Sequence, residues 1–220
     1  MSRITEMDQR ISEQTIGRLS LYRRLLDKLA QDGITQIYSH ELAEKTRFTP
    51  AQVRRDLMPV GPAGNTRRGY DVAELIRSID DYLDAPAGQQ VAVVGIGNLG
   101  RALLTFFSAR RPNLHLVAGF DINPSRVERV THGCRIHHID ELADIVREQN
   151  ITLVILSVPS AAAQAAADQC VSAGVRGILN FAPVPLRVPP TVYVSNVDLT
   201  MCLEMVAFFA RQTDEEQGND

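Results

Sequence analysis

The chain has 220 residues, enough for one large domain or for a small domain joined to a medium one. Its net charge of -3 argues against a protein that coats nucleic acid with its whole surface. No run approaches the roughly 18 apolar residues of a membrane span, the first residues lack a signal-peptide core, and Cys134, Cys170 and Cys202 form no CxxC pair. These features predict a cytoplasmic protein that does not enter a membrane.

The N-terminal part predicts a helix-turn-helix. Apolar residues recur at helical spacing over residues 15–30. Ser39 is predicted to cap a helix over residues 40–46, and Thr49 with Pro50 to begin a second helix, AQVRRDL. The glycines and paired arginines of residues 59–72 suit a two-stranded wing. We therefore expect a winged helix-turn-helix DNA-binding domain over residues 1–85.

A basic cluster supports DNA binding by this domain. Residues 45–68 contain six basic residues and one acid, although the whole chain is acidic. Such a cluster can neutralise phosphates, while the second helix could reach base edges and the wing could enter the minor groove. A solvated surface without a DNA role is the alternative. The candidate DNA-binding residues are Gln52, Arg54, Arg55, Arg67 and Arg68.

The sequence changes character near residue 85, where DAPAGQQ (84–90) is typical of a short linker. Strand-like apolar runs follow at 90–95, 114–120, 134–138, 151–157, 177–181 and 191–195. Helices are predicted between them at 98–109, 124–130, 141–149 and 160–173. Continuous apolar runs in alternation with helices predict an α/β fold, a Rossmann-type doubly wound parallel sheet, over residues 86–195. His132, His137 and His138 surround the weakest strand, and we expect them to face solvent rather than to bind a metal.

A dinucleotide fingerprint follows the first of these strands. Gly95, Gly97 and Gly100 have GxGxxG spacing, which provides a tight turn, close approach to a pyrophosphate and close helix–strand packing. Asp121 ends the next strand, where a carboxylate can accept the adenosine-ribose hydroxyls and would repel a 2′-phosphate. NAD(H) is therefore expected rather than NADP(H), although the nearby Arg126 keeps NADP(H) from being excluded. Glycines that serve only as turns are the alternative.

The strand ends near the expected nicotinamide carry no charge. Val158 and Pro159 follow one strand, and NFAPV (180–184) follows the next. Because burying a cationic ring without a partner is costly, this site should favour neutral NADH over NAD+. It offers no His, Lys or Tyr as an acid or base, and the chain leaves little room for a substrate domain, so we expect no catalytic residue. A small NAD-dependent oxidoreductase with a helical dimerisation module and a CoA- or nucleotide-binding structural subunit are the alternatives.

Several motifs together resemble one family, the bacterial redox-sensing transcriptional repressors called Rex. They are TIGRLSLYRRLL, ELAEKT, AQVRRDL, GNLGRALL, FDINP, VPSAAAQ, ILNFAPV and NVDL, spread over residues 15–209. The resemblance implies a homodimer that binds operator DNA when NADH is scarce and releases it when NADH binds, so that it senses the NADH/NAD+ ratio.

The resemblance also implies roles for individual residues. Arg18 and Asp198 would pair across domains and subunits, and Asp121 would hold the ribose. Gly95, Gly97, Asn98, Leu99 and Gly100 would meet the pyrophosphate, and Val158, Pro159, Asn180, Phe181 and Pro183 would surround the nicotinamide.

Two positions depart from the family pattern, and one segment predicts association. Phe106 stands where the family often has an aromatic hydroxyl, and Thr66 where its wing usually has arginine. The last segment, residues 196–220, contains a helix rich in apolar residues whose exposure would invite association. The resemblance implies that protomers exchange this helix, whereas the alternative is that it covers its own sheet edge.

Overall fold

The computed structural model describes residues 11–61, 69–108 and 113–217, with side chains described up to residue 212. The chain divides into two compact units, Met1–Pro86 and Ala87–Asp220. Among the described residues, no helix combines the length and the apolar character that crossing a bilayer requires.

The first unit contains four helices and two short strands among its described residues. In chain order they are α1 (Glu13–Gln31), β1 (Gln36–Ile37), α2 (Ser39–Thr46), α3 (Pro50–Leu57), β2 (Tyr70–Asp71) and α4 (Val72–Leu83). One apolar core joins them, with Leu19, Leu26, Val53 and Ile79 fully buried. Burial of these faces is what stabilises helices as short as α2 and α3, which would be marginal in isolation.

Helix boundaries in this unit follow local capping. The Thr49 hydroxyl accepts a hydrogen bond from the backbone N–H of Gln52 at 3.1 Å, and Pro50 begins α3, as predicted. The prediction that Ser39 caps α2 is wrong by one residue: Tyr38 is the N-cap, and its backbone N–H donates to Glu41 at 2.7 Å. Glu41 stands three residues after Tyr38, the spacing at which a glutamate side chain can accept the backbone N–H of the N-cap residue.

The predicted wing is described only in part. β2 pairs antiparallel with β1, which lies between α1 and α2. Residues 62–68, which include Arg67 and Arg68, lie outside the described residues.

The second unit is built on a seven-stranded sheet. Its elements are β3 (Gln89–Val94), α5 (Asn98–Phe107), β4 (Leu114–Asp121), β5 (Val130–Thr131), β6 (Cys134–His138), a 3₁₀ turn (Ile139–Glu141), α6 (Leu142–Glu148), β7 (Ile151–Leu156), α7 (Ser160–Ala173), β8 (Gly177–Asn180), β9 (Tyr193–Asn196) and α8 (Leu199–Gln217). The strand order is β5-β6-β4-β3-β7-β8-β9, and every pair is parallel except β5 with β6. The predicted Rossmann-type sheet is thereby confirmed.

Successive residues of β3 serve opposite faces of the sheet. Val91 and Val93 pack with Leu103 and Leu104 of α5, whereas Ala92, its neighbour, packs in the core that holds α6 and α7. Both faces are therefore covered at this strand, which explains why its sequence is continuously apolar.

The structure corrects the helix predicted over residues 124–130. This stretch forms turns that lead into β5. Asn123 accepts a hydrogen bond from the backbone of Ser125 through its side chain at 3.0 Å, and Glu128 has a φ of 62°, which a right-handed helix cannot contain. The backbone N–H of Glu128 instead donates to Ile136 at 2.8 Å, so this segment pairs with β6.

The expectation that the histidines face solvent is wrong for His137. Its residue is only 7% exposed, and its ring lies 5.8 Å from that of Phe120, centroid to centroid. His137 is the residue of β6 that pairs with the fully buried Phe120 of β4, so its ring is covered by that neighbour. In the described part of the chain, no group of three or more potential ligands could hold a metal ion.

Candidate functional site

A cavity of about 570 Å³ lies in the second unit, at the carboxyl ends of β3, β4 and β7. β3 is flanked by β4 and β7, so this is the point where the strand order reverses and where doubly wound sheets bind ligands. Seven of the predicted cofactor residues line it: Gly95, Gly97, Asn98, Leu99, Asp121, Val158 and Pro159.

The three fingerprint glycines are required for three different reasons. Gly95 has a φ of 91°, and a Cβ there would lie 2.6 Å from the carbonyl oxygen of Ser157. A Cβ on Gly100 would lie 1.9 Å from the carbonyl oxygen of Gly95, so helix and strand could not pack. A Cβ on Gly97 would meet no protein atom within 4 Å, and this residue lines the cavity. The missing side chain of Gly97 therefore leaves room for a ligand rather than for protein.

The amino end of α5 provides polar groups for an anion. Gly97 is the N-cap and supplies no side chain, so it leaves first-turn N–H groups without a side-chain partner. Asn98 and Leu99, the first residues of the helix, line the cavity. Arg101 in the same turn donates to the Asn98 side-chain oxygen at 2.7 Å. Free N–H groups and the positive end of the helix dipole suit a pyrophosphate.

Asp121 lies beside the glycine turn that leads into this helix and is only 5% exposed. Its Oδ2 accepts the N–H of Ile96 at 2.8 Å and Arg126 Nη1 at 3.0 Å, while Oδ1 accepts the N–H of Asn123 at 2.8 Å. Burial alone would raise the pKa of Asp121, but the hydrogen bonds from Asn123, Arg126 and Ile96 outweigh it and hold the pKa below its ordinary value. The side chain is therefore an anionic acceptor at neutral pH.

The remaining wall is apolar and extends along α7. Val158 and Pro159 follow β7, and the Ser157 hydroxyl donates to the carbonyl of Gly95 at 2.8 Å. Six further lining residues, small or apolar apart from the amide Gln169, were not singled out from the sequence and lie toward the end where a dinucleotide's adenosine is expected: Ile122, Ile139, Ala162, Ala165, Ala166 and Gln169. The alanine run AAAQAAAD was the signal available for α7, because a helix of small residues beside a sheet leaves space.

Three predicted nicotinamide neighbours are outside this lining. Asn180 is fully buried, its amide nitrogen donates to Val184 and Asn196, and its oxygen accepts the N–H of Ala182. It thus fixes the loop that carries Phe181 and Pro183. The prediction that Asn180, Phe181 and Pro183 surround the ring stays a prediction.

In the first unit, α3 carries three of the five predicted DNA-binding residues, Gln52, Arg54 and Arg55. Arg54 and Arg55 are exposed. Arg54 Nη1 donates to the Ser39 hydroxyl at 3.1 Å, so it also links α3 to α2. The amide nitrogen of Gln52 donates to Asp56 at 2.8 Å, which orients its oxygen. Two capped helices with exposed cations on the second are what major-groove binding requires.

Arg18, predicted as a coupling residue, is bonded to α3. Its Nε donates to Asp56 Oδ2 at 2.7 Å and its Nη2 to Oδ1 at 2.8 Å, and the Tyr22 hydroxyl donates to Oδ2 at 2.9 Å. Burial would raise the pKa of Asp56, but hydrogen bonds from Arg18, Gln52 and Tyr22 hold it below its ordinary value. Asp198 lies in the other unit and caps α8 by accepting the N–H of Met201 at 2.9 Å. The Arg18–Asp198 pair across subunits stays a prediction.

α8 presents a large apolar surface. Every residue from Leu199 to Gln212 is exposed. The large apolar side chains among them are Leu199, Met201, Leu203, Met205, Val206, Phe208 and Phe209. The alternative that this helix covers its own sheet edge is not supported by that exposure. A contiguous surface of this kind marks an interaction site.

Comparisons with known proteins agree with this division. A protein-family model described as "Putative DNA-binding protein N-terminus" matches residues 10–57, and one described as "CoA binding domain" matches residues 88–184. Two relatives named redox-sensing transcriptional repressor Rex, from Syntrophobacter fumaroxidans and Carboxydothermus hydrogenoformans, are each 40% identical to this chain. The alignments cover 90% and 92% of this chain and 95% and 98% of theirs.

Solved structures of a Rex-family repressor are also similar to this chain over most of its length. A Rex-family repressor called RSP, in complex with β-NADH, is similar with a TM-score of 0.84 and 30% identity over 96% of this chain and 99% of that one. RSP in complex with β-NAD+ and operator DNA is similar with a TM-score of 0.86 and 32% identity over 96% of each chain.

Proposed function

The chain belongs to the Rex family of redox-sensing transcriptional repressors, and we propose that it binds operator DNA as a homodimer and releases it when NADH occupies the cavity of the second unit. Its role is that of a regulator and not of an enzyme. The observation that carries the proposal is the cavity itself. Its lining combines the unfilled space beside Gly97, the amino end of α5 and the carboxylate of Asp121. RSP has been crystallised with both nicotinamide nucleotides, which supports NADH and NAD+ as the ligands of this chain.

Redox discrimination must come from the nicotinamide end. NADH and NAD+ share the pyrophosphate and both riboses, so those contacts cannot distinguish them. Val158 and Pro159 bring no charge to the cavity wall, and the charged side chains that line it, Asp121 and Arg126, bond to each other. A cationic ring placed against this wall would lose hydration without gaining a partner, which favours the neutral reduced ring.

The effect on DNA follows from linkage. If NADH favours an arrangement of the dimer that operator DNA does not, DNA must weaken NADH binding by the same factor. The DNA-facing group is proposed to be Gln52, Arg54 and Arg55 of α3 together with Arg67 and Arg68. Phosphate contacts by these cations would make binding sensitive to salt. Arg18 and Asp198 are proposed to pair across domains and subunits and so to couple NADH binding to the position of the DNA-binding domain.

The homodimer is proposed to form through α8, exchanged between protomers. Its exposed apolar side chains support this, since a single copy leaves them in water. In this proposal, residues 1–85 bind DNA, residues 86–195 bind the cofactor and residues 196–220 form the dimer contact. Because operator DNA and NADH are both ligands of such a switch, we place the protein in the cytoplasm.

CoA is a second candidate ligand, because the family model that matches residues 88–184 is described as a CoA binding domain. CoA also carries a pyrophosphate and an adenosine, but it carries a 3′-phosphate on the ribose that Asp121 would face. The titration described next compares CoA with NADH and so distinguishes the two ligands.

The test is DNA binding measured by fluorescence polarisation, with an operator fragment selected from a random-sequence pool by the protein itself. NADH, NAD+, NADPH and CoA are titrated in parallel. We expect NADH to release DNA at the lowest concentration and Asp121→Ala to need at least tenfold more NADH. Unchanged DNA affinity at saturating NADH and NAD+ would refute the proposed function, and release by CoA alone would favour the second candidate.

A further inference from the structure

Asp121 has little acceptor capacity left for a nucleotide. An ionised carboxylate has about four lone-pair positions, and three are taken, by the N–H groups of Ile96 and Asn123 and by Arg126. Both positions on Oδ2 are filled, so Oδ1 can accept one ribose hydroxyl. A second hydroxyl can be accepted only if one of the present donors leaves.

Arg126 is the donor that can leave. The N–H groups of Ile96 and Asn123 belong to the backbone of the glycine turn and of the turn after β4, so neither can move without unfolding that turn. Arg126 reaches Asp121 with a flexible side chain that is 37% exposed. Among the residues that the structure describes, its guanidinium has no other hydrogen-bond partner, although it has five N–H donors.

We propose that Arg126 determines nucleotide specificity at the adenosine ribose. Arg126 moves off Asp121 when NADH binds, so that both hydroxyls reach the carboxylate. When a 2′-phosphorylated nucleotide binds, the same guanidinium pairs with the 2′-phosphate and offsets its repulsion by Asp121. The chain therefore accepts NADPH as a weaker second ligand, and this inference rests on the proposed function, since it concerns the same cavity.

Charge balance supports the proposal. Arg126 is the cation that lines the cavity among the described residues, and it lies within 3.0 Å of the carboxylate that a 2′-phosphate would face. A guanidinium binds phosphate through two parallel N–H groups, and its bond to Asp121 uses only Nη1. Its other donors remain available for an anion at the cavity edge.

The experiment measures dissociation constants for NADH and NADPH by isothermal titration calorimetry, in the wild-type protein and in three variants. Arg126→Met removes the charge and keeps the chain length. Arg126→Lys keeps the charge. Arg129→Met removes an exposed charge from the same turn outside the cavity lining. Thermal unfolding of each variant shows whether it is folded.

We expect the ratio of the NADPH to the NADH dissociation constant to rise about tenfold in Arg126→Met, because NADPH loses its partner while NADH gains a free acceptor. Arg126→Lys should stay within threefold of wild type, and Arg129→Met should match it. A rise below threefold in Arg126→Met, or an equal rise in Arg129→Met, overturns the inference while NADH binding itself still stands. If the wild-type protein binds neither nucleotide, the proposed function fails and the inference fails with it.

Discussion

Arg18 of α1 and Asp56 of α3 are joined by two parallel hydrogen bonds of 2.7 and 2.8 Å across 38 positions of sequence. Asp56 is 2% exposed, and Tyr22 and Gln52 supply its remaining donors. The helix proposed to read DNA is therefore fixed to the first helix of its unit by a buried charge. A displacement of the Arg18 side chain would therefore be transmitted directly to α3 through Asp56.

Replacing Asp56 by Ala should destabilise the first unit by about 3–5 kcal/mol, because it leaves the Arg18 guanidinium and the Tyr22 hydroxyl without their acceptor. Chemical denaturation followed by circular dichroism measures this change. Asp81→Ala is the matched control, since Asp81 is exposed on α4, and its effect should stay within about 0.5 kcal/mol. Equal effects of the two substitutions would contradict a stabilising role for the pair.

The same carboxylate predicts an acid-sensitive unit. The pKa of Asp56 is held below its ordinary value of 3.8, so its contribution to stability is present above that value and is lost as pH falls through the folded-state pKa. The difference in unfolding free energy between wild type and Asp56→Asn should therefore be constant near neutrality and shrink below about pH 4. Denaturation series at several pH values measure it, and a difference that grows on acidification would show that the sign is wrong.

Gly97→Ala and Gly100→Ala should separate ligand binding from folding. A Cβ at 97 meets no protein atom within 4 Å, so Gly97→Ala should leave unfolding unchanged and weaken NADH binding by about tenfold or more, the equivalent of roughly 1.4 kcal/mol. A Cβ at 100 would overlap Gly95, so Gly100→Ala should cost about 1–3 kcal/mol of stability. Thermal unfolding and calorimetric titration of both variants check this. Normal NADH affinity in Gly97→Ala would mean that the pyrophosphate binds elsewhere.

Arg55 offers the sharpest test of the DNA surface, because it is exposed on α3. Arg55→Ala should weaken operator binding and, if the side chain contacts a phosphate, reduce the slope of log K against log salt concentration by about 1. Arg77→Ala on α4 removes an exposed charge outside the helix-turn-helix and should leave that slope unchanged. Polarisation titrations at several salt concentrations supply the slopes, and identical slopes in all three proteins would exclude Arg55 from the phosphate contacts.

Association through α8 predicts a charge-sensitive dimer. Leu203 is 69% exposed in the single chain, and Leu203→Lys would bury a charge if this surface forms the interface. Sedimentation velocity should then show a monomer, whereas Glu204→Lys, which adds a lysine at the adjacent exposed position, should remain dimeric. A Leu203→Lys dimer as tight as wild type would place the interface elsewhere.

Local patterns predicted most of the fold and part of the site. α7 spans Ser160–Ala173 as predicted, and β3, β4, β6 and β7 lie within a residue or so of the predicted runs. For β3 and β7 the reason is that a short, continuous apolar run between helices fits a strand covered on both faces. The helix predicted from residue 124 failed because Asn123 and Glu128 adopt turn geometry that periodicity does not register.

Local sequence patterns did not predict which side chains bond to residues far away in the sequence. Nothing near Asp56 in sequence indicates that its partner is Arg18, and nothing near Asn180 indicates that its amide bonds to Asn196. These contacts depend on how separate elements pack, which local sequence patterns do not register.

The two sets of alanines on α7 carry a consequence for protein engineering. Ala163 and Ala167 are packed in the interior, whereas Ala162 and Ala165 border the cavity and are exposed there. A bulkier residue at 162 or 165 would subtract room from the adenosine end without touching the interior. Such a protein would still bind operator DNA but would no longer be released by NADH. It would therefore repress its target genes at every NADH/NAD+ ratio.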